Sequence, residues 1–180
     1  AIPDIQKPLE AGFDPLHAAY VQTQNLTSVF AESVSSFKEL SEYTKIAGDA
    51  EDEYVPGGPP MSPLTRSDFT TWAFFDIRFG PDQETIGTCL LDLADVLGFD
   101  ELQVEPVRNY QQPRMGIYEH LGRRKSQIRL KELVTGKEFL SHSTSGYQGK
   151  KGELWYVRLG PPLSLLEDLA DYHVTLTTPY

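Results

Sequence analysis

The sequence predicts an α+β protein, with helices first and a small basic β-barrel after them. Three observations carry this. Between Met115 and Leu159, apolar and polar residues alternate with period two in short runs separated by turn residues. Before residue 112, apolar residues recur every three or four positions. The charge also changes sign along the chain. From Arg114 to Gly160, ten basic residues face four acidic ones, a balance of +6 that leaves −16 on the remainder of a chain with net charge −10.

In Gln127–Lys131, Ile128 and Leu130 point one way, and Gln127, Arg129 and Lys131 the other. Thr135-Gly136 makes a tight turn into Lys137–His142, where Phe139 opposes Glu138 and Leu140. In Glu153–Leu159, Trp155, Val157 and Leu159 share one face, and Leu154, Tyr156 and Arg158 the other. Apolar groups on both faces predict a strand covered on both sides. Gly160-Pro161-Pro162 stops it, and Tyr172–Thr178 is a further β-branched run. Four or five short strands suffice to close an SH3-like barrel over 113–180 and remove exposed edges.

The portion 1–112 reads as acidic and helical, with a Pro/Gly linker near 49–63. Asp14-Pro15 is a helix start, with Asp14 as N-cap and Pro15 in the first turn. A helix is expected over Ser28–Lys45, capped by Asn25 or Thr27, with Val29, Phe30, Val34, Phe37, Leu40 and Tyr43 on its apolar stripe. The next is capped by Ser67, carries Phe69, Trp72, Phe75 and Phe79, and ends at Gly80-Pro81. Asp82 or Thr85 starts a helix with Ile86, Cys89, Leu90, Leu93, Val96 and Leu97 on one face and Gly98 as its stop. A last helix, Asp100–Gln112, contains Pro106. Trp72, Phe75, Leu90, Leu93, Trp155 and Val157 are the expected core.

Composition bounds the function. No apolar run approaches the roughly 20 residues of a membrane span. Cys89 is the only cysteine, so neither an internal disulfide nor a cysteine-based zinc site is expected, and a cytoplasmic location is. The histidines lack H-x-H or H-x-x-x-H spacing, and no metal or other cofactor is expected. The loop Ser143–Gly152 has three glycines, Tyr147, Lys150 and Lys151, yet G-Y-Q-G-K-K-G lacks the spacing of a phosphate-binding P-loop. His142 beside Ser143 and Ser145, with Glu119 to orient it, is the one hydrolase-like group, and no G-x-S-x-G elbow accompanies it.

Two segments resemble a small barrel module of uncharacterised bacterial proteins. They are L-x-E-L-x-T-G at Leu130–Gly136 and G-E-x-x-x-x-R-L at Gly152–Leu159. Some of those proteins also carry a SEC-C zinc motif, which this chain lacks. The resemblance implies a barrel and no particular activity.

The expected function is a non-catalytic binding or assembly module. It meets a protein or a larger complex through Arg123, Arg124, Lys125, Arg129, Lys131, Tyr147, Lys150 and Lys151. Nucleic-acid binding by the same surface is the alternative, and a hydrolase using His142 with Ser143 or Ser145 the third. The acidic portion is expected to pair with Arg123, Arg124, Arg129 and Lys131.

Overall fold

The computed structural model describes residues 6–55, 63–112, 115–143, 145–166, 168, 171–175 and 179. Part of the expected Pro/Gly linker (56–62), Arg114, Thr144 and the end of the last expected strand (176–178) lie outside them. The protein is mixed α/β, and its described residues form six α-helices and a six-stranded sheet curled into a half-barrel. Among the described residues, no helix is long and apolar enough to cross a membrane. The chain gathers into two compact units, Ala1–Gln24 with Gln112–Tyr180, and Asn25–Gln111.

The first unit holds α1 (Gln6–Glu10), the first half of α2 (Pro15–Val34) and the sheet. Helix α2 starts as its sequence predicts. The His17 amide donates to Asp14 Oδ1 (2.8 Å), and the Ala18 amide to the Asp14 carbonyl (2.9 Å). Leu16, Ala19 and Tyr20 are buried, and the Tyr20 hydroxyl donates to the Pro161 carbonyl (2.7 Å).

The strands are β1 (Gly116–Arg124), β2 (Gln127–Glu132), β3 (Glu138–Ser143), β4 (Leu154–Val157), β5 (Leu159–Gly160) and β6 (His173–Thr175). Their order in the sheet is β4-β1-β2-β3-β6-β5, antiparallel except for β3 with β6. The two ends of this order, β4 and β5, are separated in sequence by Arg158 alone. One segment therefore supplies both edges, which obliges the sheet to curl. Tyr118, Ile128, Leu130, Trp155, Val157 and Leu159 fill the interior, with Phe139 packed against them. The expectation that Glu153–Leu159 is covered on both faces holds at buried Arg158 and is corrected along β4. Leu154 and Tyr156 are exposed, and only the Trp155–Val157 side is buried. Strand β4 is instead an edge strand with one buried face.

The second unit holds the rest of α2, α3 (Ser41–Tyr54), α4 (Pro63–Phe75), α5 (Ile86–Leu97) and α6 (Glu101–Gln111). Phe30, Phe74, Phe75 and Tyr110 form its aromatic centre, with ring centroids 4.8–6.5 Å apart in successive pairs. The helix expected over Ser28–Lys45 is instead two. The chain leaves α2 after Val34, passes through extended Phe37 (φ −74°, ψ 132°) and a 3-10 turn at Lys38–Leu40, and then enters α3. Serines compete with helix by bonding the backbone locally, and the Ser35 hydroxyl donates to the Glu32 carbonyl (2.8 Å) where the break occurs. Helix α3 runs through the acidic residues 49–53 that read as the start of the linker. Helix α4 begins at Pro63 rather than after Ser67 and ends at Phe75 rather than at Gly80.

Helix α5 has the expected ends. Thr85 and Thr88 cap each other through side chain and backbone (3.1 and 2.8 Å), and Gly98 takes φ 70° at the C-terminus. Its buried row is narrower than its apolar stripe. Ile86, Leu90 and Ala94 are buried, whereas Leu93 is 43% exposed and Val96 and Leu97 also face solvent. Leu93 therefore leaves the expected core, and Trp72 is half-buried. Phe75, Leu90, Trp155 and Val157 are buried as expected.

Trp155→Ala should lower unfolding free energy by about 3–5 kcal/mol, and Leu93→Ala by about 0.5 kcal/mol or less. Urea denaturation followed by circular dichroism measures both. A Leu93→Ala loss as large as that of Trp155→Ala would contradict the burial pattern.

Candidate functional site

The register brings the basic residues to one end of the sheet. Strands β1 and β2 pair Arg124 with Gln127, so the hairpin turns at Lys125-Ser126, where Lys125 takes φ 56°. Strand β3 starts beside Lys131 and passes Ile128 at Ser141, so Ser143 ends it at the hairpin end. The loop to β4 leaves from there. Arg123, Arg124 and Lys125 thus share an end of the sheet with Tyr147, Lys150 and Lys151, and all six are exposed. Arg129 lies farther along β2. Lys131 lies at the opposite end, with Glu119 and Glu138 as its neighbours across the ladders.

Arg123, Arg124 and Arg129 line an open cleft of about 520 Å³ with Glu138, Phe139 and Leu140. Arg129 Nη2 bonds Glu138 Oε2 at 2.9 Å. Arg129, expected to pair with acids from residues 1–112, has a cross-strand carboxylate partner in its own sheet. Both side chains are about half exposed, so the pair orients Arg129 more than it stabilises the fold.

The loop 145–153 is tied to the barrel core. His120 is buried on β1. The Gly122 amide donates to His120 Nδ1 (3.0 Å), so Nε2 carries the proton that meets the Gln148 carbonyl (3.0 Å). The His120 amide donates to the Glu153 carbonyl (2.9 Å), and the Gly152 amide to the His120 carbonyl (2.8 Å). Glu153 Oε2 accepts from the Tyr147 hydroxyl (3.1 Å) and from Trp155 Nε1 (3.3 Å). The Lys150 backbone N–H, the Trp155 indole and the Tyr147 hydroxyl hold the Glu153 carboxyl below its ordinary range. A depressed carboxylate favours the fold above its unfolded titration, and that contribution is lost as pH falls through the folded value. Tyr147 leans on Trp155 with ring centroids 5.6 Å apart, and His120 meets the same indole edge-on at 5.3 Å.

The hydrolase-like residues are arranged otherwise. Ser143 is buried with Ser141 on one face of β3, and alternation turns His142 to the other. Ser143 and Ser145 hydroxyls bond each other (3.2 Å). The His142 ring lies 5.6 Å from His17 and 6.2 Å from Tyr172, whose hydroxyl donates to Asp14. Burial, then the neighbouring His142, push the His17 imidazole down against the pull of Asp14. Among the described residues, no hydrogen bond joins His142 to either serine, and no group of three His, Cys, Asp or Glu could hold a metal. Cys89 is half-buried, and burial, Glu84 and Asp92 push its thiol up, which disfavours a nucleophilic thiolate.

Sequence reasoning listed the basic residues but missed the cleft walls Phe139 and Leu140, and the joint role of His120 and Glu153. The Gly-Glu pair closing the lysine loop was the visible trace of the latter.

Gly149 sets a specific test. It takes φ 58°, and a methyl there would lie 2.4 Å from Trp155 Cζ2 and 2.8 Å from Glu153 Oε2. Gly146 takes φ 74° with open space around it. Gly149→Ala should cost about 2–4 kcal/mol and perturb Trp155 fluorescence, and Gly146→Ala about 1 kcal/mol with the fluorescence unchanged. Equal effects would mean that the loop does not pack on Trp155.

Comparison with known protein families, with curated proteins and with solved structures finds no match to this chain.

Proposed function

We propose that this chain is a non-catalytic protein-binding module. Its curled sheet serves as an SH3-like barrel, and its basic end receives an acidic segment of a partner protein in a cytoplasmic setting. The observation that carries this is the cleft, where three arginines converge beside Phe139 and Leu140, with Glu138 the one carboxylate among the described residues of its wall. Arginine binds carboxylates bidentately, and an apolar wall adds contact for a side chain between acidic residues. The resemblance of Leu130–Gly136 and Gly152–Leu159 to a bacterial barrel module accords with the barrel alone.

Nucleic acid is the weaker reading for two reasons. The chain carries net charge −10, which repels phosphate at long range. Tyr147, the aromatic in the lysine loop, leans on Trp155 and bonds Glu153, so base stacking would have to displace those contacts.

A titration separates the two. A labelled peptide of alternating Glu and Leu should bind at micromolar concentration, and Arg123→Glu with Arg124→Glu should weaken it at least tenfold. Mixed DNA and RNA should not bind at physiological salt. Tight, strongly salt-dependent nucleic-acid binding, lost in Lys150→Glu with Lys151→Glu, would overturn the proposal.

A further inference from the structure

The outer side of β4 combines features that the basic cleft does not share. The directions of its backbone groups follow from two hydrogen bonds. The His120 amide donates to the Glu153 carbonyl, which aims the even-numbered residues of β1 up to its bulge at His120 toward β4. The Leu133 amide donates to the Ile117 carbonyl, which aims the odd-numbered ones at β2. Tyr118 and Gly116 therefore bond Trp155 and Val157, their register partners. The amides and carbonyls of Leu154 and Tyr156 point away from the sheet, on an end strand that pairs, among the described residues, with β1 alone.

This open edge is apolar where edges of soluble proteins usually carry charge. Leu154 is 60% exposed and Tyr156 45%. Ile117, the cross-strand neighbour of Tyr156, is 47% exposed, and Leu133 beside it is also exposed. Open backbone groups flanked by alternate apolar side chains are what strand addition uses: main-chain bonds hold the guest, and side chains select it.

We infer that the free edge of β4 takes an extended apolar strand of a partner protein, antiparallel to β4, with acidic residues at its C-terminal end. This rests on the protein-binding reading and names the form of the bound segment. Charge sets the direction. Exposed Lys150 and Lys151 stand just before β4, where the C-terminal end of an antiparallel guest lies. A second copy of this chain is a poor occupant. Each copy carries −10, and a four-residue edge with a few apolar side chains falls well short of the roughly 1,200–2,000 Å² of a stable interface.

The probe is the N-terminally labelled peptide Val-Thr-Ile-Thr-Val-Asp-Asp, followed by fluorescence anisotropy and by amide hydrogen exchange of the intact chain. It should bind saturably and slow exchange at Leu154 and Tyr156 at least tenfold. Tyr156→Pro should weaken binding at least tenfold, because that amide faces outward and no bond to β1 is lost. Leu154→Lys with Tyr156→Lys keeps the test valid if the proline variant misfolds, and should weaken binding equally. Absence of binding, protection confined to other residues, binding indifferent to both variants, or self-association through β4 in sedimentation each overturns the inference. If this peptide fails while the Glu-Leu peptide still binds through Arg123 and Arg124, the edge inference alone falls. If both fail, the protein-binding reading falls with it.

Discussion

The sheet depends on the segment from Leu154 to Gly160 forming both of its edges. Trp155, Val157 and Leu159 keep one face inward across the break at Arg158, and the curl of the sheet brings the two ends of the strand order onto consecutive residues. A slip of one residue between β4 and β1 would turn Trp155 and Val157 outward and bury Leu154 and Tyr156 in their place. The indole makes that slip costly. It is packed inside the curl, approached by His120 and Tyr147, and bonded to Glu153. The same alternation that fills the interior leaves an apolar, open edge outside.

The lysine loop inherits its shape from that core. Three glycines and two lysines between strands suggest a loose connection, yet Glu153 gathers a tyrosine hydroxyl, an indole and a backbone amide onto one carboxylate. His120 fastens the middle of the loop through Gln148. Lys150 and Lys151 are therefore displayed from a fixed loop, at the same end of the sheet as the hairpin of Arg123, Arg124 and Lys125. Pre-organised charge loses less conformational entropy on binding than charge on a loose loop.

Much of this was legible in the residues, for identifiable reasons. Period two in Gln127–Lys131 and around Trp155 names buried side chains directly, because a strand offers only two faces. Thr85 and Gly98 mark the ends of α5 through capping chemistry that needs no tertiary partner. Periodicity alone failed where neighbours decide. Apolar spacing continues through Ser35 and Ser36, so the break after Val34 is hidden, and the stripe of α5 does not say that only Ile86, Leu90 and Ala94 find cover. The surface was half legible. Charge listed its residues, but the convergence of Arg123, Arg124 and Arg129 and the Arg129–Glu138 pair arise from strand register.

Native-state hydrogen exchange along β4 of the free protein tests the central claim most directly. Amides of Trp155 and Val157 bond into β1 and should exchange as slowly as the Leu130 amide, in one cooperative unit. Those of Leu154 and Tyr156 should exchange orders of magnitude faster. Uniform protection of all four amides would show that the outer edge of β4 is already paired, contradicting the account.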